Sequence, residues 1–237
     1  MSKYHTAAPV ITIDGPSGSG KGTLSQLLAQ NLNYHLLDSG ALYRLVALSV
    51  SGKGIDPRAQ DKVAAVAATL DVQFDASGDA TCVRLEGQDV TTAIRSEEIS
   101  RMASVVAAHP LVREALLQRQ RDFRRAPGLV ADGRDMGTVV FPDAQVKIFL
   151  TASAEARAQR RYKQLEQRGE RVDMAQLVAD IQARDQRDRE RAVSPLKPAE
   201  DAIILDSTEM SIGQVLAAML SHVTGSERDS AATNRSK

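Results

Sequence analysis

A run of glycines ending in a lysine constrains this chain more than any other stretch. Residues 11–23 read ITIDGPSGSGKGT. Val10, Ile11 and Ile13, with Thr12 between them, make the short β-branched run of a buried strand. Asp14 and Gly15 close it. Gly15, Gly20 and Lys21 then fall at the spacing G-x-x-x-x-G-K of a phosphate-binding loop, with Gly18 inside it. Such a loop turns backbone N–H groups toward an anion, which takes conformations that a Cβ disfavours. A helix expected over residues 21–31 aims the positive end of its dipole at the same spot. Lys21 adds a mobile charge for terminal phosphates. The nucleotide-binding candidates are therefore Gly15, Pro16, Ser17, Gly18, Ser19, Gly20, Lys21, Gly22 and Thr23. The bland alternative, a glycine-rich turn, does not require strand, loop, lysine and helix in that order.

One position departs from the motif. A Ser or Thr that ligates Mg²⁺ is expected directly after the lysine, but Gly22 stands there and Thr23 lies one place on. This GKGT variant resembles the nucleoside monophosphate kinases more than switch GTPases or motor ATPases. The resemblance implies ATP with Mg²⁺ as donor and leaves Thr23 a weaker metal candidate than the usual hydroxyl.

The totals narrow the class. A chain of 237 residues can bury a substantial core. Lys+Arg and Asp+Glu are both 30, which speaks against a dedicated nucleic-acid binder. A single cysteine, Cys82, leaves no intrachain disulfide and fits a reducing compartment. The first residues, MSKYHTAAP, lack the apolar core of a signal peptide, and no apolar run is long enough to span a bilayer. The expectation is a soluble, cytoplasmic monomer without membrane or nucleic-acid partners.

Along the chain, residues 34–38 (YHLLD) read as a second strand that opens onto a helix at 41–49, a βαβ start that implies a parallel sheet. Ligands of such sheets sit at the carboxyl ends of the strands, so residues 14–21 and 38–44 should face one cleft. A loop at 51–57 and a helix at 61–70 follow. Residues 71–74, 81–86 and 88–90, with a turn at Ser77-Gly78-Asp79, read as a small antiparallel sheet. Helices are expected at 96–107 and at 111–125, the second with Pro110 at its start. Strands are expected at 128–132, 146–150 and 202–206. Ser153 can cap a helix at 154–168 that Gly169 ends, and Asp173 with Gln176 has capping-box spacing for one reaching about 191. A closing helix at 212–223 precedes a tail, 225–237, expected to be disordered.

Three groups of residues carry chemistry. Asp132 ends an apolar strand, as the carboxylate on the metal side of phosphate-loop sites does. Spacing alone leaves open a metal role, directly or through water, or a turn role. The second group is arginine, nine of them from Arg157 to Arg191. A solvated, ion-paired helix face accounts for Arg168, Arg171 and Arg189, with Glu166, Asp173, Asp185 and Glu190 as partners. Arg157, Arg160 and Arg161, however, share one helical face, and Arg184, Asp188 and Arg191 share another. Two arginine faces joined by a glycine turn suggest a lid that lays guanidinium groups on a transferring phosphoryl group. Third, Ser39, Tyr43, Arg44, Ser104, Arg113, Arg134 and Asp135 are the types needed to hold a nucleotide acceptor and read a base edge.

GPSGSGKGT, LLDSGALYR, ASVVAAHPLVREALL, ADGRDMGTVVFPDA and RDQRDRERAVSPL together closely resemble bacterial cytidylate kinases, over about residues 9–223. The resemblance implies a P-loop kinase fold within one domain, 1–224. Its sheet would have five parallel strands flanked by helices. A monophosphate-binding region at 39–126 would contain the small β-sheet near 71–90, and the arginine-rich lid would span 157–191. The reaction would be ATP plus CMP or dCMP giving ADP plus CDP or dCDP, in pyrimidine nucleotide metabolism. By matching motif positions, Arg44, Arg134 and Arg191 would hold the acceptor phosphate. Ser104, Arg113 and Asp135 would read cytosine, and Arg184 with Asp188 the sugar. Lys21, Arg157 and Arg161 would stabilise charge on the donor phosphates. The rivals are a kinase of the same core acting on another nucleotide or a small alcohol, a regulatory nucleotide switch, and an RNA binder.

Overall fold

The computed structural model describes residues 7–75, 82–167, 169 and 172–234. The expected turn at 77–79, Thr81, Arg168 and Arg171 lie outside the described residues, as do the last three of the tail. The chain divides into two compact units, Met1–Leu37 with Arg121–Lys237, and Asp38–Gln120.

The first unit is built on a five-stranded parallel sheet. Its strands are β1 (Val10–Asp14), β2 (His35–Asp38), β6 (Leu129–Gly133), β7 (Val146–Thr151) and β8 (Ile203–Asp206), in spatial order β2-β6-β1-β7-β8. β1 is central, in parallel register with β6 (Ile13 opposite Asp132) and with β7 (Ile13 opposite Ile148). Every residue of β1 and β6 is buried, as the unbroken apolar runs anticipated for strands covered on both faces. Helix α1 (Lys21–Leu32) and helix α8 (Ile212–Asn234) pack Leu24, Leu28, Val215 and Met219 against Ile11, Ile13, Val130 and Ile148. α8 runs on past the end expected at 223 and takes in residues 225–234 of the supposed tail. No proline interrupts that stretch, so nothing in the backbone forces the helix to stop. Among the described residues no helix is long and apolar enough to cross a membrane.

After β7, Ser153 accepts from the N–H of Ala156 and caps α6 (Ala154–Glu166). Gly169, at φ 75°, donates to the Glu166 carbonyl and ends it two residues earlier than expected. Asp173 caps α7 (Met174–Glu190) by accepting from Ala175 and Gln176. The expected capping box closes on that side; the Gln176 side chain instead donates to Asp180.

The second unit holds α2 (Ser39–Gly52), α3 (Gln60–Ala68), a three-stranded antiparallel sheet, α4 (Glu97–Val106) and α5 (Pro110–Arg121). The sheet strands are β3 (Val72–Asp75), β4 (Cys82–Leu85) and β5 (Gln88–Asp89), as the alternation anticipated. Glu86 and Gly87, both at positive φ, form the two-residue turn of its second hairpin. Ser96 caps α4 by accepting from Ile99, and Pro110 opens α5, which ends four residues before the expected 125.

The strand order puts four loops at one edge of the first unit's sheet. The glycine loop follows β1, Arg134-Asp135 follows β6, α6 follows β7 and Ser207 follows β8. The loop's start is fixed sterically, because a Cβ on Gly15 would lie 2.0 Å from the Leu150 carbonyl oxygen of β7. Leu150 cannot yield without disturbing the pairing of β7 with β8. Gly15→Ala is therefore expected to lower stability by about 3 kcal/mol, measured by chemical denaturation; a loss under about 1 kcal/mol would show that the loop relaxes there.

Candidate active site

The glycine loop is arranged as its spacing anticipated. Gly20, at φ 92°, precedes α1, and no side chain caps the helix there, so its first-turn N–H groups point toward the loop. Lys21 is buried. Its Nζ donates to the Pro16 carbonyl at 2.8 Å and to the Ser19 hydroxyl at 3.4 Å. Burial, then the cation of Arg134, push its pKa down to about 7, against the pull of Asp132 and Asp14. A lysine folded over its own loop and held this low gains most from an arriving polyanion.

Gly22 has a visible consequence. A Cβ there would sit 3.7 Å from Asp132 Oδ2, so the carboxylate faces the position where the motif's hydroxyl would stand. Asp132 is buried, whereas Thr23 is exposed. Asp14 was read only as a strand end, yet it is a structural tie. Its two oxygens accept from the N–H groups of Met136 and Gly137, both at 2.8 Å. Burial pushes its carboxyl up to about 7 despite those bonds. The tie pins the turn that follows Arg134 and Asp135 to the end of β1. That turn, Met136–Val140, is π-helical, and Asp135 is buried at its start.

The two arginine faces fare differently. On α7, Asp188 accepts from Arg134 Nε at 3.0 Å. Burial would raise the Asp188 pKa, but Arg134, Arg191 and Arg184 outweigh it and hold the carboxyl below its usual range. Arg184, Asp188 and Arg191, expected on one helical face, thus form one electrostatic cluster, which Arg134 joins. On α6, Arg157 is 3% exposed and points into protein. Its Nη1 donates to the Ser17 carbonyl at 3.0 Å, and both terminal nitrogens fork onto Asp185. Arg160 reaches the Ser19 carbonyl at 3.3 Å and Ser207, while Arg161 donates to Gln164. Helical spacing identified the face. It did not show that two of its three guanidinium groups bond the loop's own backbone.

In the second unit, Arg44 pairs with Asp38 at 2.8 Å, and Asp38 also caps α2 through the Ala41 N–H. Gly40 makes room for this pair, since a Cβ there would lie 3.1 Å from Arg44 Nη1 and from Asp38 Oδ1. Ser39 donates to Gln120 at 2.8 Å. Arg113 lies over the Tyr43 ring, 5.4 Å from its centroid, and donates to the Ala107 carbonyl. The Ser104 hydroxyl is buried without a partner among the described residues, which suits a group reserved for a ligand. Asp38 and Gln120 are partners that sequence reasoning did not assign, and Asp185, expected on a solvated ion-paired face, is instead buried against Arg157. Only Asp38 gave a signal, by ending a strand directly before a helix.

Asp188 ties this geometry to stability. A carboxyl held low stabilises the fold above its ordinary pKa of 3.8, and the contribution drains away as pH falls through the lower, folded value. Asp188→Asn should therefore cost about 2 kcal/mol at pH 7, with the gap to wild type narrowing below about pH 4. A gap independent of pH in denaturation series would show that the charge is not what counts.

Comparison with known proteins bears on what this assembly is for. A family model described as cytidylate kinase matches residues 11–225. A protein of Photobacterium profundum named cytidylate kinase is 61% identical over 218 residues, covering 92% of this chain and 96% of the relative. One of the same name from Pseudomonas entomophila is 63% identical over 211 residues, covering 88% and 92%. A phosphate loop with a buried lysine, an arginine cluster beside it and identity at this level lead to one conclusion: the chain belongs to the cytidylate kinase family.

Proposed function

We propose that the chain transfers the terminal phosphoryl group of ATP to CMP or dCMP, giving ADP and CDP or dCDP. The observation that carries the reading is a glycine loop with a buried, pKa-lowered Lys21, in a chain that matches cytidylate kinases along nearly its whole length. In the transfer, an oxygen of the acceptor's phosphate bonds to the terminal phosphorus of ATP as the bond to the ADP oxygen breaks. The acceptor oxygens are already ionised near neutral pH, so no general base is needed. What the protein supplies is position and positive charge.

Each residue then has a task. The loop's N–H groups and the α1 N-terminus hold the donor phosphates, and Lys21 meets the charge that builds on them. Arg134, oriented by Asp188, binds the acceptor phosphate with Arg44 and Arg191. Ser104, Arg113 and Asp135 read the cytosine edge, Arg184 and Asp188 the sugar, and Ser39 and Tyr43 line the acceptor side. Arg161 is the α6 arginine best suited to the donor phosphates, because Arg157 and Arg160 are spent on the loop's carbonyls.

Mg²⁺ fits the residues present. Among the described residues no group of three or more His, Cys, Asp or Glu could hold a metal, which matches an ion carried mainly by phosphates and water. Asp132, facing the space over Gly22, would contribute a hard oxygen, with Thr23 the weaker candidate. When bound, the ion neutralises charge on the phosphate chain.

An acceptor panel tests the assignment. In an ATP-consumption assay CMP and dCMP should exceed UMP, AMP and GMP in kcat/KM by at least about tenfold, since buried polar groups built for one base edge reject another. Faster turnover of AMP or UMP would overturn the base reading, and acceptor-independent ATP hydrolysis would indicate a nucleotide switch.

A further inference from the structure

The expected use of Arg157 on the donor phosphates meets a difficulty in the geometry. The side chain is 3% exposed, and its partners are all protein. Nε donates to the carbonyls of Ala152 and Ser153, at 3.0 and 3.3 Å. Nη1 is shared between the Ser17 carbonyl and Asp185 Oδ1, both at 3.0 Å, and Nη2 donates to Asp185 Oδ2. The loop also rests on the stem of this residue, because a Cβ at Gly18 would lie 3.4 Å from Arg157 Cβ. A single guanidinium therefore joins three things: the segment that follows β7, the phosphate loop and α7.

Its partner is just as confined. Asp185 is 5% exposed and lies on α7 next to Arg184 and one helical turn from Asp188. Neighbouring helix positions differ by about 100° in direction. A bidentate fork on Asp185 therefore fixes the rotation of α7, and with it the direction in which Arg184 and Asp188 project. Asp188 in turn orients Arg134. The chain of contacts runs from the Ser17 carbonyl through Arg157 and Asp185 to α7, and from Asp188 to Arg134.

Stability is a poor reason to keep such a pair. Burying two charges costs about as much as their attraction returns, and apolar side chains of similar volume often serve the fold equally well. A planar fork does offer something apolar packing lacks, namely a fixed distance and rotation between two elements. We infer that Asp185, acting through Arg157, is a positioning residue for phosphoryl transfer, locking α7 in register with the phosphate loop so that donor and acceptor groups are aligned. This rests on the proposed kinase reading, in which α7 carries acceptor-binding residues and the loop carries the donor.

The inference separates alignment from folding and from binding. The paired variant Arg157→Met with Asp185→Leu removes both charges together and refills their volume. It should melt within a few degrees of wild type. Its KM for ATP should stay within about threefold, since the loop keeps its own contacts, and its KM for CMP should rise by less than kcat falls. Its kcat should fall about 10- to 100-fold, the penalty of reactants misplaced by around an ångström. The milder Arg157→Lys keeps the cation but cannot fork and reach Ser17 at once. It should show the same split between kcat and KM, while Asp185→Glu, which keeps a bidentate partner, should recover at least a third of wild-type kcat. A paired variant with wild-type kcat would overturn the inference. So would Arg157→Lys at wild-type kcat, a test that stands even if the paired variant fails to fold. Wild-type activity on another acceptor would overturn the base assignment instead, leaving the kcat comparison on that acceptor intact as the test of alignment.

Discussion

A lysine buried among protein dipoles, with its charge only partly matched, is the condition around which the first unit is organised. Lys21 has left water, and its ammonium group donates to the Pro16 carbonyl and the Ser19 hydroxyl. Burial first, and then the cation of Arg134, outweigh Asp132 and Asp14, so the ammonium is held near the point of losing its proton. That arrangement is costly to the fold and favourable to a ligand. A phosphate chain entering the loop would supply the charge that the buried lysine lacks.

Three arginines, two in the first unit and one in the second, are managed by a common device. Arg134 is held by Asp188, Arg157 by Asp185 and Arg44 by Asp38. A guanidinium without a partner would be mobile or badly solvated; held by a carboxylate, it is pre-set in direction. The pairs differ in exposure, and that difference sorts their roles. Arg44 and Asp38 are both partly open to solvent, so the pair is worth little to stability. Arg157 and Asp185 are closed to solvent, and their work is architectural. Asp14 extends the logic to the backbone by accepting two hydrogen bonds from N–H groups of the β6 turn, which tie it to the end of β1.

How far this could be read from the residues depended on distance along the chain. The strand, loop and first helix were legible because the motif is local and its glycines have steric reasons. Caps at Ser153, Asp173 and Ser96 were equally local, and only Ser96 had not been assigned as one. The parallel sheet followed from the βαβ pattern, but the insertion of β6 between β2 and β1 did not, because pairing across more than a hundred residues leaves no periodic trace. Spacing put Arg157, Arg160 and Arg161 on one face of α6, but it says which side chains share a face and nothing of whether they meet a carbonyl, as Arg157 and Arg160 do here. Asp185 was one acid in a charged run until burial distinguished it. Gln120 had no signal at all, its partner Ser39 lying far off in sequence.

The family relationship names the chemistry, and the geometry supplies its physical basis in Lys21. The most direct test is the side-chain titration of Lys21 itself, by nuclear magnetic resonance on protein carrying ¹³C-labelled lysine, with and without a non-hydrolysable ATP analogue. The free chain should show one lysine titrating near 7 rather than near the ordinary 10.5, absent from Lys21→Met, and nucleotide should move that titration upward by more than one unit. A Lys21 that titrates near 10.5 in the free chain, or that does not respond to nucleotide, would contradict the account.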